Sequence, residues 1–579
     1  MRNAEIADAL TELATLYELD GAIRYRVLAY REAARVIRQS PVSVEELARA
    51  GRATELPGVG KTLEGKIVTL LDTGEIPSAA KLKRKFPASL VEVTRVPGVG
   101  AKTARRLYDE LGVSDLDELR EAAETQRIRE IKGLGPKAEE NVLASLGKLA
   151  DRGPAERLLL SEVLPIAEKI ASDLRDHPAS EAVEVAGSAR RRAETCHDID
   201  LIATSSDPVA LSQALVDHPL VVAGASPRES GAHVTTQNGV AIDLRIVPPT
   251  AYGNLLQHFS GSAEHSVELR ERAVKMGLSV SEHGITDSES GEVARYATEA
   301  EVYRRLGLDY IEPELREANG EIQAAAEGTL PELVTLGDLR GDLHCHTTIS
   351  DGRNSLEEMA DAARARGYAY LAVTDHSASH GFGNHVTPER LEERIEEIRT
   401  LNSGVRGFRV LAGSEVNVMP DGSLDYEDDL LAELDWVIAS VHTSFKISKR
   451  KMTERIVTAI EHPLVDCIGH LTGRLINRRE PYDVDVEKVS EAAAGTGTML
   501  EINGNPNRRD LSERHARLAA EAGVMICLNT DAHGTDTLSN MVYSVATARR
   551  AWLTADQIAN TRPWREFSRL RKRATAKRA

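Results

Sequence analysis

The sequence predicts a multidomain chain with an α-helical N-terminal quarter, a mixed α+β middle and a C-terminal α/β barrel. Three observations carry this reading. A Gly-x-Gly pentapeptide recurs between amphipathic helices before residue 150, short runs of alternating polarity appear between 183 and 247, and apolar strands alternate with helices beyond 340. The 579 residues allow three to five domains at roughly 100–200 residues each. Hydrophobic residues at 41% and charged residues at 28% place the chain among globular proteins rather than disordered ones. No apolar run approaches the ~18 residues of a membrane helix, and the N-terminus enters an amphipathic pattern without a signal-peptide core. A cytoplasmic protein that does not span a membrane is expected. The four cysteines are scattered with no CxxC, which argues against a disulfide scaffold or a cysteine zinc finger.

Ile6, Leu10, Leu13, Leu16 and Tyr17 recur at helical spacing, and a second helix runs through 25–37. Ser43 reads as an N-cap with Glu46 completing a capping box. Leu56-Pro57-Gly58-Val59-Gly60 then recurs 40 residues later as Val96-Pro97-Gly98-Val99-Gly100, and again, more weakly, as Ile131-Lys132-Gly133-Leu134-Gly135. Such glycines allow a tight turn that exposes backbone N–H groups at a helix N-terminus, where a phosphate oxygen binds. Gly58, Gly60, Gly98, Gly100 and Lys102 are therefore candidate DNA-backbone contacts, and three copies look like helix-hairpin-helix motifs.

From 158 to 174 the spacing predicts a helix, and 183–186, 199–203 and 241–247 read as strands. Asp198 and Asp200, two apart, share one strand face, and Asp243 on another strand completes a trio. Convergent carboxylates repel one another unless cations lie between them, and oxygen ligands suit Mg²⁺ or Mn²⁺. Gly187, Ser188 and Arg191 stand beside them as donors for a triphosphate. Residues 252–276 form a helical region with a Gly/Ser turn, and 311–337, rich in Glu, Pro and Gly, read as an aperiodic linker.

The pattern over residues 1 to about 315 resembles the family X DNA polymerases, of the DNA polymerase beta kind. The resemblance rests on the paired hairpins, on GS-x-R-R…D-I-D, on Asp243 and on His258-Phe259-Ser260-Gly261-Ser262. It implies a nucleotidyltransferase palm with a thumb. Asp198, Asp200 and Asp243 would be the metal-binding catalytic aspartates, with Ser188 and Arg191 on the β/γ-phosphates. His258, Phe259 and Gly261 would close over the nucleotide, and Arg270 would support the templating position. His258, His197 and Ser266 depart from the family's usual Tyr, Gly and Asn, which bears on sugar discrimination and substrate preference. Lys66 falls on the family's Schiff-base lysine, and an amine in a cationic, phosphate-binding patch can serve as nucleophile. An ordinary phosphate-contacting lysine is the other reading.

Beyond 340, strands are expected at 371–374, 409–411, 436–440, 467–468, 499–502 and 525–528, with helices capped by Ser355 and by Thr387 with Pro388 at N1. His344 and His346 end a further strand and face one way, Asp351 follows, and His376, Glu415, His442, His470, Asp531 and His533 each follow a strand. One such histidine is usually structural, but six segments ending in His, Asp or Glu point to metal. This series resembles the PHP (polymerase and histidinol phosphatase) family over roughly 340–570. The resemblance implies three Mn²⁺ or Zn²⁺ ions bound by those nine residues. Arg474 and Lys446 stand either as substrate-phosphate contacts or as solvated surface.

The implied organisation is 1–82 a lyase-like helical domain, 83–154 a fingers-like domain, 155–250 palm, 251–316 thumb, 317–338 linker and 339–579 PHP barrel. The expected partners are gapped or nicked DNA and dNTPs, acted on by a monomer that fills short gaps and carries a 3′–5′ exonuclease. Abasic-site cleavage or 3′-phosphate removal is open for the barrel. A phosphoesterase for small monoesters with a DNA anchor, or a catalytically silent DNA-end scaffold, are the alternatives. The net charge of −18 disfavours nonspecific nucleic-acid binding, so positive charge must be local. The basic stretch 562–578 reads either as a disordered tail or as a phosphate-contacting arm. Aromatics at 4% leave little for base-stacking platforms.

Overall fold

The computed structural model describes residues 1–96, 98–151, 157–380 and 384–572. Pro97 of the second hairpin and Arg573, Lys577 and Arg578 of the basic stretch lie outside the described residues. The chain divides into two compact units, one of 1–261 with 269–302 and one of 262–268 with 303–579.

The first unit begins with the antiparallel helices Asn3–Leu19 and Arg24–Gln39, which bury Ile6, Leu10, Leu13 and Leu16. Ser43 accepts from the Glu46 N–H and starts Val44–Arg49. The three Gly-x-Gly turns share one geometry. Gly58, Gly98 and Gly133 take φ of 77°, 90° and 89°, a region open to glycine and costly for residues with a Cβ. Each turn leads into a helix, Lys61–Thr73, Ala101–Leu111 and Pro136–Asp151, and Val59, Val99 and Ile131 anchor the turns in the helical core.

The middle of this unit is a five-stranded mixed sheet. Its order is Ser180–Val185, Ile199–Ser205, Ala241–Ile246, Gly231–Thr236 and Val221–Gly224. The predicted helix over 158–174 splits: Leu158–Leu159 pairs with Thr195–Cys196, and the helix proper runs Leu160–Arg175. The turn at Gln237 and Asn238 fastens the sheet to the N-terminal helices. Ala4 N–H donates to the Gln237 carbonyl (3.2 Å), and the Asn238 amide donates to the Arg38 carbonyl (2.6 Å). The helical stretch after 251 breaks at Gly261 into Tyr252–Ser260 and Ala263–Lys275.

In the second unit seven parallel strands follow one another in chain order: Gly341–Cys345, Tyr370–Val373, Arg409–Asn417, Trp436–Ser440, Cys467–Ile468, Met499–Asn503 and Ile526–Asn529. Helices such as Leu356–Ala365 and Pro388–Gly404 join them, capped by Ser355 and Thr387 as their sequences dictate. The sheet nearly closes on itself. Cys345 bridges Ala532 in parallel, and the Asn560 amide spans the seam, donating to the Gly341 carbonyl (2.8 Å) and accepting from Leu528 N–H (3.0 Å). Opposite the strands' C-terminal ends, Phe567 of helix Trp564–Leu570 is wholly buried and stacks on Tyr370 with centroids 5.0 Å apart.

Two expectations change here. The described part of the basic stretch is neither disordered nor a free arm. Arg571 donates to the Asp435 carbonyl, and Lys572, mostly buried, donates to the Ile460 and His462 carbonyls. Residues 311–337 are not aperiodic either. They hold helix Glu321–Glu327 and the buried Arg316 and Glu321, and ion pairs Glu314–Arg549 (2.8 Å) and Glu317–Arg550 (2.8 Å) fix them to the barrel. Sequence periodicity missed both because isolated apolar anchors such as Ile311, Leu315, Val334 and Phe567, together with long-range polar contacts, order these segments without leaving a regular stripe. The same network explains why 262–268 belongs to this unit. Fully buried His265 lies 2.7 Å from Glu321 and 3.0 Å from the Tyr303 hydroxyl. All four cysteines are free and buried.

Candidate active sites

On the five-stranded sheet, Ile199–Ser205 and Ala241–Ile246 run parallel with Asp200 directly opposite Asp243. Asp198, which its two-residue spacing predicts on this strand, lies instead in the bend just before it, yet its carboxylate is near enough to act on Asp200. Burial, then the Asp198 and Asp243 carboxylates, push Asp200 up to about 7. That is the signature of negative charge gathered where water cannot screen it, and a divalent cation relieves it. The Arg245 guanidinium is 3.0 Å from Asp243, and the His197 ring is 3.5 Å from Asp198. The Arg245 guanidinium also lies 5.6 Å over the Phe259 ring.

Gly187 has φ +62°, and a Cβ there would stand 2.2 Å from Asp200 Oδ2. Only glycine lets this loop lie against the carboxylates. Ser188 follows, half-buried, in the single turn Gly187–Arg190. Arg191 donates to the Ser260 carbonyl, and Arg190 makes a bidentate pair with Glu299 (2.9 and 2.6 Å). This joins the loop to the helix carrying His258 and Phe259. His258 is partly buried 3.9 Å from Glu282, and burial keeps its imidazole below the ordinary range. Arg270 is exposed on Ala263–Lys275. Sequence reading did not single out Arg190, Arg245 or Glu299. Arg245 was findable, because it lies two residues after Asp243 on the same strand face.

In the helical region Gly60 and Gly100 are the N-caps of their helices, and among the described residues no atom beyond the chain neighbours lies within 4 Å of a Cβ built at Gly60, Gly98 or Gly100. Lys102 is exposed in the first turn of its helix. Lys66 is half-buried, donates to the Ser78 hydroxyl (2.9 Å) and lies 5.9 Å over the Tyr30 ring. Burial and the adjacent Tyr17 push Tyr30 up to about 12.

At the C-terminal ends of the barrel strands, all nine expected residues converge. Three groups each bring their ligand atoms within 4.8 Å of one another: His346, Asp351, His376 and His533; His344, His346 and Asp531; His376, Glu415 and His442. His470 Nε2 lies 2.8 Å from Glu415. His344 Nε2, His346 Nδ1, Asp351 Oδ1, Glu415 Oε2 and His470 Nδ1 are buried without a hydrogen bond. Buried polar atoms seldom stay unsatisfied, and this donor set, imidazole and carboxylate facing one centre, fits divalent metal. Burial disfavours charge on His533, but Asp351 and Asp531 outweigh it and push the imidazole up to about 10. Cys345 turns the other way, its thiol toward the Ala372 carbonyl (3.3 Å). Arg474 donates to the Arg509 carbonyl, and Lys446 is exposed.

Known proteins share these features. Residues 1–76 match the helix-hairpin-helix domain, 90–148 the SAM-like helix-hairpin-helix tandem, 255–317 the DNA polymerase beta thumb and 342–505 the PHP domain. The DNA polymerase/3′-5′ exonuclease PolX of Bacillus subtilis (strain 168) is 36% identical over 575 residues, covering 99% of this chain and all of that protein. A probable phosphatase of Thermoanaerobacter sp. (strain X514) is 35% identical over 240 residues, 38% of this chain and 89% of its own. A probable phosphatase of Syntrophotalea carbinolica is 26% identical over 229 residues, 38% of this chain and 90% of its own. With a relative this similar end to end, and thumb, hairpin and PHP matches in the same order, the chain belongs to the family X DNA polymerases that carry a PHP domain.

Proposed function

We propose that this protein fills short DNA gaps with one site and trims 3′ ends with the other. The register pairing of Asp200 with Asp243, with the Asp198 carboxylate beside them and Gly187 against Asp200, carries the first half. Mg²⁺ or Mn²⁺ held by these aspartates would lower the barrier to attack by the primer 3′ hydroxyl and stabilise the departing pyrophosphate. Ser188, with the backbone amides that follow Gly187, binds the triphosphate tail. Arg191 and Arg190 hold the loop against Ser260 so that His258, Phe259 and Gly261 lie beside the sugar. Arg270, exposed on the following helix, serves the template strand. The hairpin amides at Gly58, Gly60, Gly98 and Gly100, with Lys102, take the DNA backbone without reading sequence.

At the barrel end, His344, His346, Asp351, His376, Glu415, His442, His470, Asp531 and His533 would hold Mn²⁺ or Zn²⁺, which would supply a nucleophile and charge stabilisation for phosphodiester hydrolysis. The nucleotide leaves from the 3′ end. The likeness of this region alone to probable phosphatases favours 3′-phosphate removal as a second reaction of the same site. Lys66, held by Ser78 beside Tyr30, is the amine for deoxyribose-phosphate removal.

A 5′-labelled primer on a one-nucleotide-gapped duplex with Mn²⁺, run with and without dNTPs, tests both halves. Extension with dNTPs and shortening without them are expected. Asp198→Ala that still extends, or His344→Ala that still shortens, refutes the corresponding half. A 3′-phosphorylated primer in the same gel reads the second reaction.

A further inference from the structure

Six of the seven barrel strands end in, or lead directly into, residues of the nine-residue cluster, and Met499–Asn503 does not. Its inward residues are Glu501 and Asn503, which share a face and are wholly buried. Glu501 Oε1 accepts from His344 Nδ1 (2.7 Å) and from the Asn529 amide (2.9 Å). Its Oε2 accepts from His470 N–H (2.8 Å) and from the Asn503 amide (3.0 Å). The Asn503 amide reaches on to Asp531 Oδ2 (3.1 Å), and its carbonyl oxygen accepts from Asn505 N–H (2.9 Å). A continuous chain, His344–Glu501–Asn503–Asp531, thus joins two members of one convergent group.

From this geometry we infer that Glu501 and Asn503 are positioning residues for the ion held by His344, His346 and Asp531. The inference rests on the reading of the cluster as a metal site. Because Glu501 takes the Nδ1–H of His344, that ring has one tautomer, and its Nε2, buried and without a hydrogen bond, is the atom left for metal. The carboxylate also makes that nitrogen a stronger donor, as carboxylate partners of metal-bound histidines do. Asn503 donates to one Asp531 oxygen and leaves the other, 3.1 Å from His346 Nε2, toward the same ion. The other two groups share neither side-chain contact, and the further tie of Glu501 is to the His470 backbone N–H, so its side-chain support falls on one ion.

The test is Mn²⁺ titration of the chelator-stripped full chain, with free Mn²⁺ counted by its electron paramagnetic resonance. The palm contributes equally to every titration. Glu501→Gln is expected to weaken one class of bound Mn²⁺ by about 10–100-fold, the range found for partners of metal ligands, and to leave the rest unchanged. Excess Mn²⁺ should restore primer shortening. Asn503→Ala, which removes no buried charge, should weaken the same class and covers the case in which an amide at 501 prevents folding. Wild-type affinity in both variants, alongside loss of an ion in His344→Ala, overturns the positioning role and leaves the metal-site reading standing. A loss that excess Mn²⁺ does not restore also overturns it, because that is structural damage. If wild type and His344→Ala bind Mn²⁺ alike, the metal-site reading itself falls, and this inference with it.

Discussion

Asp200→Asn should stabilise the metal-free palm while abolishing extension. Asp200 is pushed from the ordinary aspartate value of 3.8 to about 7 by burial and by Asp198 and Asp243. The folded protein therefore keeps a proton that the unfolded chain has released between about pH 4 and pH 7, and stability falls as pH rises through that window. At about 1.4 kcal/mol per pH unit, the charged carboxylate costs roughly 4 kcal/mol at pH 8 and about 1–2 kcal/mol at pH 5. A neutral side chain of the same shape removes that cost. The advantage of Asp200→Asn over wild type should thus grow by roughly 3 kcal/mol from pH 5 to pH 8, about a hundredfold in local opening. Amide hydrogen exchange of peptides covering Ile199–Ser205 and Ala241–Ile246 reads it directly, with variant and wild type compared at each pH in chelator. All three tryptophans, Trp436, Trp552 and Trp564, lie outside the palm, so their fluorescence follows the barrel unit as an internal control. Adding Mn²⁺ should raise protection in wild type and not in the variant. A variant that exchanges faster than wild type at pH 8, or an advantage independent of pH, refutes the argument that mutual carboxylate repulsion shapes this site.

Gly187→Ala should lose extension while primer shortening persists, because its Cβ would meet Asp200 Oδ2 at 2.2 Å and the backbone sits at φ +62°; single-nucleotide incorporation checks it. Phe567→Ala should destabilise the barrel unit by about 3–5 kcal/mol, the range for emptying a buried aromatic site, read by denaturant unfolding on Trp436 fluorescence. Asn560→Ala strips the Gly341 carbonyl and Leu528 N–H at the seam of their partner, at about 1–3 kcal/mol for each buried group left unpaired, read in the same unfolding experiment. Lys66→Ala should abolish borohydride trapping on a 5′-deoxyribose-phosphate end while leaving extension intact; trapping that survives moves the lyase amine elsewhere.

The sequence by itself determined the fold class and where the chemistry concentrates. Period-two and period-3.6 patterns are local properties, so the barrel strands at 436–440 and 467–468 and the helices capped by Ser355 and Thr387 stand where the sequence puts them. Metal-type residues at successive strand ends are legible for the same reason, since a barrel gathers those ends whatever the loops between them do. Tertiary structure alone decided which groups meet across long separations. Glu501 reads as one acid in a strand until the barrel brings His344 to it, 157 residues away. Arg190 is one of three consecutive arginines in the sequence until Glu299 arrives from 109 residues on. The stretch 311–337 and the tail to Lys572 look unstructured because scattered apolar anchors and polar contacts to distant groups, arginines for the first and carbonyls for the second, order them, and anchors of that kind leave no period in the sequence. Burial is the common cause: a polar group becomes a ligand, a positioning residue or an anchor only once the fold has removed its water and chosen its partner.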